Sequence, residues 1–113
     1  MLILKKIIDA EELRAMAAQT FGDMVKAVAD VERGLIALDG ELHSDLETLL
    51  LEKGSKQKDL WGINFYPDLG GDEFVEFDSM INVRPSQGNK SRGVDDKKTR
   101  ERILAVVNKW VKR

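Results

Sequence analysis

Apolar residues recur in this chain in two rhythms, and the places where the rhythm changes divide it into elements. Leu2 to Ile8 reads as a short strand, with Leu2, Leu4 and Ile7 or Ile8 turned inward. Asp9 then stands as a helix cap, with Glu12 three residues on to complete a capping-box pair. Leu13, Met16, Ala17 and Phe21 follow at helical spacing until Gly22 stops the run. Next, Val25, Ala27, Ala29 and Val31 alternate with Lys26, Val28, Asp30 and Glu32. Ile36, Leu38, Gly40 and Leu42 alternate in turn with Leu35, Ala37, Asp39, Glu41 and His43. This predicts a hairpin over 24–43 that turns at Arg33-Gly34. A helix competes, because Met24, Val28, Val31, Leu35, Leu38 and Leu42 share a helical stripe. Gly34 and Asp39-Gly40 weigh against it, at about 1 kcal/mol per interior glycine.

Ser44-Asp45-Leu46-Glu47 repeats the capping signature and predicts a helix over 44–53 ended by Gly54, with a leucine-rich strand as the alternative. Leu60–Tyr66 reads as a strand closed by Pro67 and a turn over 68–72. Phe74, Val75 and Phe77, then Met80, Ile81 and Val83, read as another strand ended by Arg84-Pro85. From Asp95 or Asp96 to the end of the chain, Ile103, Val106, Val107, Trp110 and Val111 form a second clear helical stripe. Lys109, Lys112 and Arg113 suit the negative end of that helix. The order predicts one α+β domain over residues 1–113, an antiparallel sheet with an N-terminal and a C-terminal helix packed on it.

Composition narrows the function classes. At 113 residues, 42% hydrophobic and 34% charged, the chain suits one globular core and is too apolar for disorder. No apolar run approaches the roughly 20 residues a membrane span needs, and the first residues lack the order of a signal peptide. There is no cysteine, which excludes disulfides, thiolate metal sites and a cysteine nucleophile and fits a cytoplasmic setting. The net charge of −2 hides a polarity. Residues 1–83 hold 8 Lys/Arg against 17 Asp/Glu, a balance of −9, whereas residues 84–113 hold 10 against 3, a balance of +7. A basic end can bind anions or nucleic acid; the plainer reading is that it pairs with the acidic body, within one chain or across a homo-oligomer.

The densest candidate chemistry is Arg84-Pro-Ser-Gln-Gly-Asn-Lys-Ser-Arg-Gly93. Arg84, Lys90 and Arg92 offer charge, Ser86, Gln87 and Asn89 offer polar groups, and Gly88 and Gly93 let the backbone turn and expose N–H groups. That mix is what phosphate recognition uses. The alternative is a structural loop whose polar residues hold its own backbone. Asp95-Asp96 would repel an anion from the next helix start. Asp39, Glu41, His43 and Asp45 are spaced two apart, so an extended backbone would put all four on one face as a hard-ligand metal site. The plainer reading is a charged, solvated edge strand with His43 on the surface. His43 is the sole histidine and therefore the weak candidate for imidazole acid–base catalysis. Lys53-Gly-Ser-Lys-Gln-Lys58 makes a second basic turn beside Trp61, which either contacts a ligand or partner or caps the core. No cofactor fingerprint occurs.

Four blocks, 21–28, 40–45, 54–67 and 78–93, which include Gly40-Glu-Leu-His-Ser-Asp45 and Trp61-Gly-Ile-Asn-Phe-Tyr-Pro67, resemble a family of small prokaryotic proteins defined only as a domain of unknown function. The resemblance implies a cytoplasmic prokaryotic protein and carries no catalytic residue. The residues themselves favour a binding module whose 84–93 loop holds a phosphate-bearing small molecule or nucleic acid. Two alternatives stand beside it: a hydrolase or ribonuclease using His43 with Arg84 or Arg92, and an oligomerising interaction domain.

Overall fold

In the computed structural model, which describes residues 1–113, the alternation over 24–43 is a hairpin. Strand β3 (Val25–Asp30) runs antiparallel to β4 (Leu35–Leu38), and Gly34 takes φ 66° in the turn between them. The turn is built by Asp30, whose fully buried Oδ1 accepts from the backbone N–H groups of Glu32 and Arg33, both at 2.9 Å. A continuous helix would forfeit that arrangement. Strand β5 (Leu60–Phe65) pairs with the other side of β3. The short strands β1 (Leu2–Ile3) and β6 (Val75–Glu76) complete an antiparallel sheet ordered β1-β4-β3-β5-β6.

The N-terminal strand breaks in two. Leu2 and Ile3 pair with β4, while Ile8 and Asp9 (β2) pair in parallel with Val111 and Lys112 (β7) at the end of the chain. Leu4 and Ile8 are buried, but Leu2 and Ile7 are exposed. Helix α1 (Ala10–Gln19) starts where Asp9 accepts from the Glu12 N–H. It ends before Phe21, which is exposed rather than buried; Lys26 lies over its ring, 5.1 Å from the centroid. Helix α2 (His43–Glu52) begins two residues earlier than the capping signature predicts, with Leu42 rather than Ser44 at the cap and no side-chain bond there. Helix α3 (Lys97–Trp110) is capped by Asp96, which accepts from the Thr99 N–H.

The sheet is covered on both faces. On one, Val25, Ala27, Ile63, Phe65 and their neighbours pack with Leu13 and Ala17 of α1 and Ile103, Val106 and Val107 of α3 in the main core. On the other, Val28, Ala37 and Leu60 pack with Leu46 and Leu50 of α2. The outer edge of β5 corrects the expected strand over 74–83. Only Val75 and Glu76 pair as β-structure; Met80–Asn82 and Pro85–Gln87 are single 3-10 turns. Beyond Asp78 the edge is met by side chains. The Asn64 amide donates to the Asp78 carbonyl. The fully buried Asn82 carboxamide then accepts from Gly62 N–H at 2.8 Å and donates to Gly62 carbonyl at 2.9 Å. Asn82 thus pairs with β5 as another strand would. No helix is long and apolar enough to cross a membrane.

Two substitutions test this edge. Asn82→Ala strips partners from both backbone groups of Gly62 and should cost about 3 kcal/mol in urea denaturation, at 1–3 kcal/mol per buried group left unsatisfied. Gly62→Ala would set a Cβ 2.5 Å from Ser79 Cβ, so it should cost about 1–3 kcal/mol through overpacking.

Candidate functional site

The 84–93 loop spends its polar groups on itself. The Arg84 guanidinium, 8% exposed, donates through Nε to the Ile81 carbonyl (3.0 Å) and through Nη1 to the Gln57 carbonyl (2.7 Å) and Gln87 Oε1 (3.3 Å). Its Nη2 donates to the Leu60 carbonyl, and the group lies over the Trp61 ring, 4.3 Å from its centroid. Burial lowers its pKa, opposed by the nearby Glu47 carboxylate. Arg84 is therefore not an outward fork for an anion; it fastens the loop to the end of β5. Asn89, also buried, donates to the carbonyls of Asn82, Ser91 and Gly93 and accepts from Asp95 N–H.

The expected free N–H groups are likewise committed. Those of Gln87, Gly88 and Asn89 bond to Arg84 or Pro85 carbonyls, and that of Lys90 bonds to Asp95. The Ser91 hydroxyl, together with that Lys90 N–H, holds the Asp95 carboxyl below its usual range. Arg92 pairs with Asp78 at 2.7 Å. That bond and the Arg102–Glu32 pair, 3.2 Å, join the basic end to the acidic body within one chain. The Ser86 and Lys90 side chains remain on the surface.

The proposed quartet Asp39, Glu41, His43 and Asp45 does not share a face. The strand ends at Leu38, Asp39 turns with φ 66°, and α2 begins at His43. No grouping of three or more such residues could hold a metal ion. His43 is buried rather than superficial, and its Nε2 lies 2.9 Å from the Ile63 carbonyl. A carbonyl only accepts, so Nε2 carries the proton and Nδ1 is the unprotonated nitrogen. Burial lowers its pKa, while that hydrogen bond raises it; Lys26 lowers it, and Asn64 and Asp78 raise it. Asp78, the partner of Arg92, is thus also among the charges acting on the His43 ring, whereas Arg84 is committed at the far end of β5.

Where these elements meet, a cleft of about 260 Å³ opens. One wall is Lys58 and Asp59, from the turn that enters β5; another is Gln87, Gly88 and Asn89. Arg102, Thr99 and Asp96 of α3 close it, and Trp61 lies among its lining. The structure thus brings Trp61, Gln87 and Asn89 together, and leaves Ser86, Lys90 and Arg92 outside. Trp61 is a core residue that shows only an edge here. Lys58 has no carboxylate within ion-pair distance, and Asp96 is occupied with Thr99. The basic turn over 53–58 signals Lys58 in the sequence. Arg102 gives no signal, since it sits among four other charged residues in 97–102.

Two outcomes follow. Arg84→Lys replaces a planar fork by a point charge and should lower stability by about 2 kcal/mol in urea denaturation, because it leaves some of the Gln57, Leu60 and Ile81 carbonyls without donors. The His43 shift gives a pH signature. The native state keeps the ring neutral below the ordinary value of 6.5, so the unfolded chain binds the extra proton and stability falls as pH drops through about 6.5. Melting temperatures from pH 7.5 to 5 should decline, and His43→Gln, which keeps a donor for Ile63, should flatten the decline. Asp95 and Asp96, lowered from 3.8, act only below about pH 4.

Neither a curated protein nor a solved structure matches the sequence. A family model described as a protein of unknown function, DUF5674, matches residues 2–110, nearly the whole α+β domain with both walls of the cleft. The chain belongs to the DUF5674 family.

Proposed function

We propose that this protein is a small binding module that holds a phosphate- or carboxylate-bearing small molecule in the cleft beneath the 84–93 loop. The observation that carries this reading is the pairing of Lys58, with no carboxylate partner, and Arg102 in one cleft lined by Trp61. Arg84 and Asn89 act at one remove by fixing the shape of that wall. Arg102 donates through Nη2 to Glu32 and the Val31 carbonyl, which leaves Nε and Nη1 for a ligand. The volume of about 260 Å³ lies just below the range of roughly 300–1,000 Å³ for drug-sized ligands, so the ligand is small. Asp59 in the wall favours a molecule that also carries hydrogen-bond donors.

Single-stranded nucleic acid is a poorer fit, since it wants several exposed rings along a basic groove and the one ring here is nearly buried. Acid–base chemistry at His43 has one point in its favour, the fixed tautomer, but the ring is only 8% exposed. The absence of cysteine and the resemblance to prokaryotic proteins support a cytoplasmic setting in a prokaryotic cell.

Titration of inorganic phosphate and of adenosine monophosphate, followed by amide chemical shifts, tests the reading. Shifts should centre on Lys58, Trp61, Gln87 and Arg102. Lys58→Ala and Arg102→Ala should each weaken binding by about tenfold, the equivalent of one charge-assisted contact, whereas Lys112→Ala in β7 should not. Equal losses from Lys112→Ala would reduce the effect to net charge.

A further inference from the structure

The cleft does not end at Lys58. A second hollow of about 220 Å³ adjoins it, lined by Glu32, Arg33, Gly54, Lys56, Lys58 and Asp59, so Lys58 and Asp59 form a wall common to both. We propose that the two hollows together bind a diphosphate group, with one phosphate between Lys58 and Arg102 and the other between Lys58, Lys56 and Arg33. This rests on the reading of the first cleft and names the ligand class more narrowly.

The second hollow is held in shape from inside the protein. Buried Asp30 accepts from Glu32 and Arg33 N–H groups through Oδ1 and from the Ser55 hydroxyl, at 2.6 Å, through Oδ2. Ser55 in turn accepts from Arg33 Nη1 at 3.2 Å, and the same Nη1 donates to the Lys53 carbonyl at 2.9 Å. One carboxylate therefore locks both the β3–β4 turn and the approach to β5, and it fixes the Arg33 guanidinium at the rim. Nε and Nη2 of Arg33 have no protein partner. A guanidinium immobilised on one side and open on the other is prepared for an anion, because the ordering of its side chain is already complete.

Charge points the same way. Arg33, Lys56 and Lys58 make no ion pair, while Glu32 is drawn to Arg102. Three cations without ion-pair partners around one hollow outnumber its two carboxylates, and a polyvalent anion relieves their mutual repulsion. Lys58 stands in the shared wall, where two linked phosphates would flank it. Asp59 in the same wall and Glu32 at the rim interrupt the positive surface, which favours a short diphosphate over a long polyanion.

Calorimetric titration of the full chain with inorganic phosphate, pyrophosphate and oligothymidylate tests this. Pyrophosphate should bind at least about tenfold more tightly than phosphate, the gain of one further charge-assisted contact. Lys56→Ala and Arg33→Met should each remove that advantage, while the phosphate-induced amide shifts of Gln87 and Arg102 in the first cleft persist. Lys56→Ala, which deletes no hydrogen bond, keeps the test sound if Arg33→Met unfolds. Pyrophosphate binding no tighter than phosphate overturns the diphosphate assignment and leaves the first cleft standing. Absence of binding by both overturns the two readings together. Oligothymidylate binding more tightly than pyrophosphate also overturns the assignment, in favour of a nucleic-acid backbone.

Discussion

The outer edge of β5 depends on the carboxamide of Asn82, which bonds the N–H and carbonyl of Gly62 as a neighbouring strand would. An interior strand edge left open would leave buried backbone groups without partners, each costing about 1–3 kcal/mol. Side chains avert this at three levels down β5: Asn64 reaches Asp78, Asn82 pairs with Gly62, and Arg84 reaches Leu60. Gly62 is part of the device. Ser79 occupies the space that a side chain there would need. Asn82 also donates to Arg92 and accepts from Asn89, so the entire 78–95 segment hangs on the same residue. A loop built this way is rigid despite its lack of regular structure, and rigidity is what a cleft wall requires.

That device explains which parts of the fold could be read from sequence. The α1 and α3 stripes, the Asp9 and Asp96 caps and the β3–β4 hairpin are local, and local rules found them. The second face of β3 is buried as well, because α2 packs on Val28 and the 32–33 turn and Ser55 enclose Asp30, a fact of tertiary assembly with no local trace. The strand expected over 74–83 failed for a related reason. Met80-Ile81-Asn82-Val83 resembles an apolar strand, yet its one polar residue is the buried one and Met80 is exposed. A polar residue inside an apparently apolar run was the available signal.

The candidate site was partly legible for a deeper physical reason. Arginine, asparagine and serine offer the same donors whether they face a ligand or a backbone carbonyl, and composition cannot distinguish the two. The 84–93 loop is dense in such groups because it has no strand or helix to satisfy its backbone. Arg84 and Asn89 therefore point inward, and the chemistry that looked like recognition is construction. His43 illustrates the converse: a start of α2 two residues earlier than its signature turned an apparent surface side chain into a buried one.

Function is better sought among groups that the fold leaves uncommitted. By that criterion the arginines separate from the lysines. Arg14, Arg84, Arg92 and Arg100 are bonded to carbonyls or carboxylates, whereas Lys56 and Lys58 make no ion pair. Arg33 and Arg102, like Arg92 and Arg100, are each anchored by one nitrogen with others open, but only Arg33 and Arg102 line the hollows beside Lys56 and Lys58. Half-anchored guanidinium groups beside free ammonium groups combine fixed direction with available charge. That combination occurs along the furrow formed by the β3–β4 turn, the approach to β5 and α3. These are connections held by Asp30 and by the Arg84–Trp61 stack, the arrangement in which a stable sheet lends its order to loops that meet a ligand.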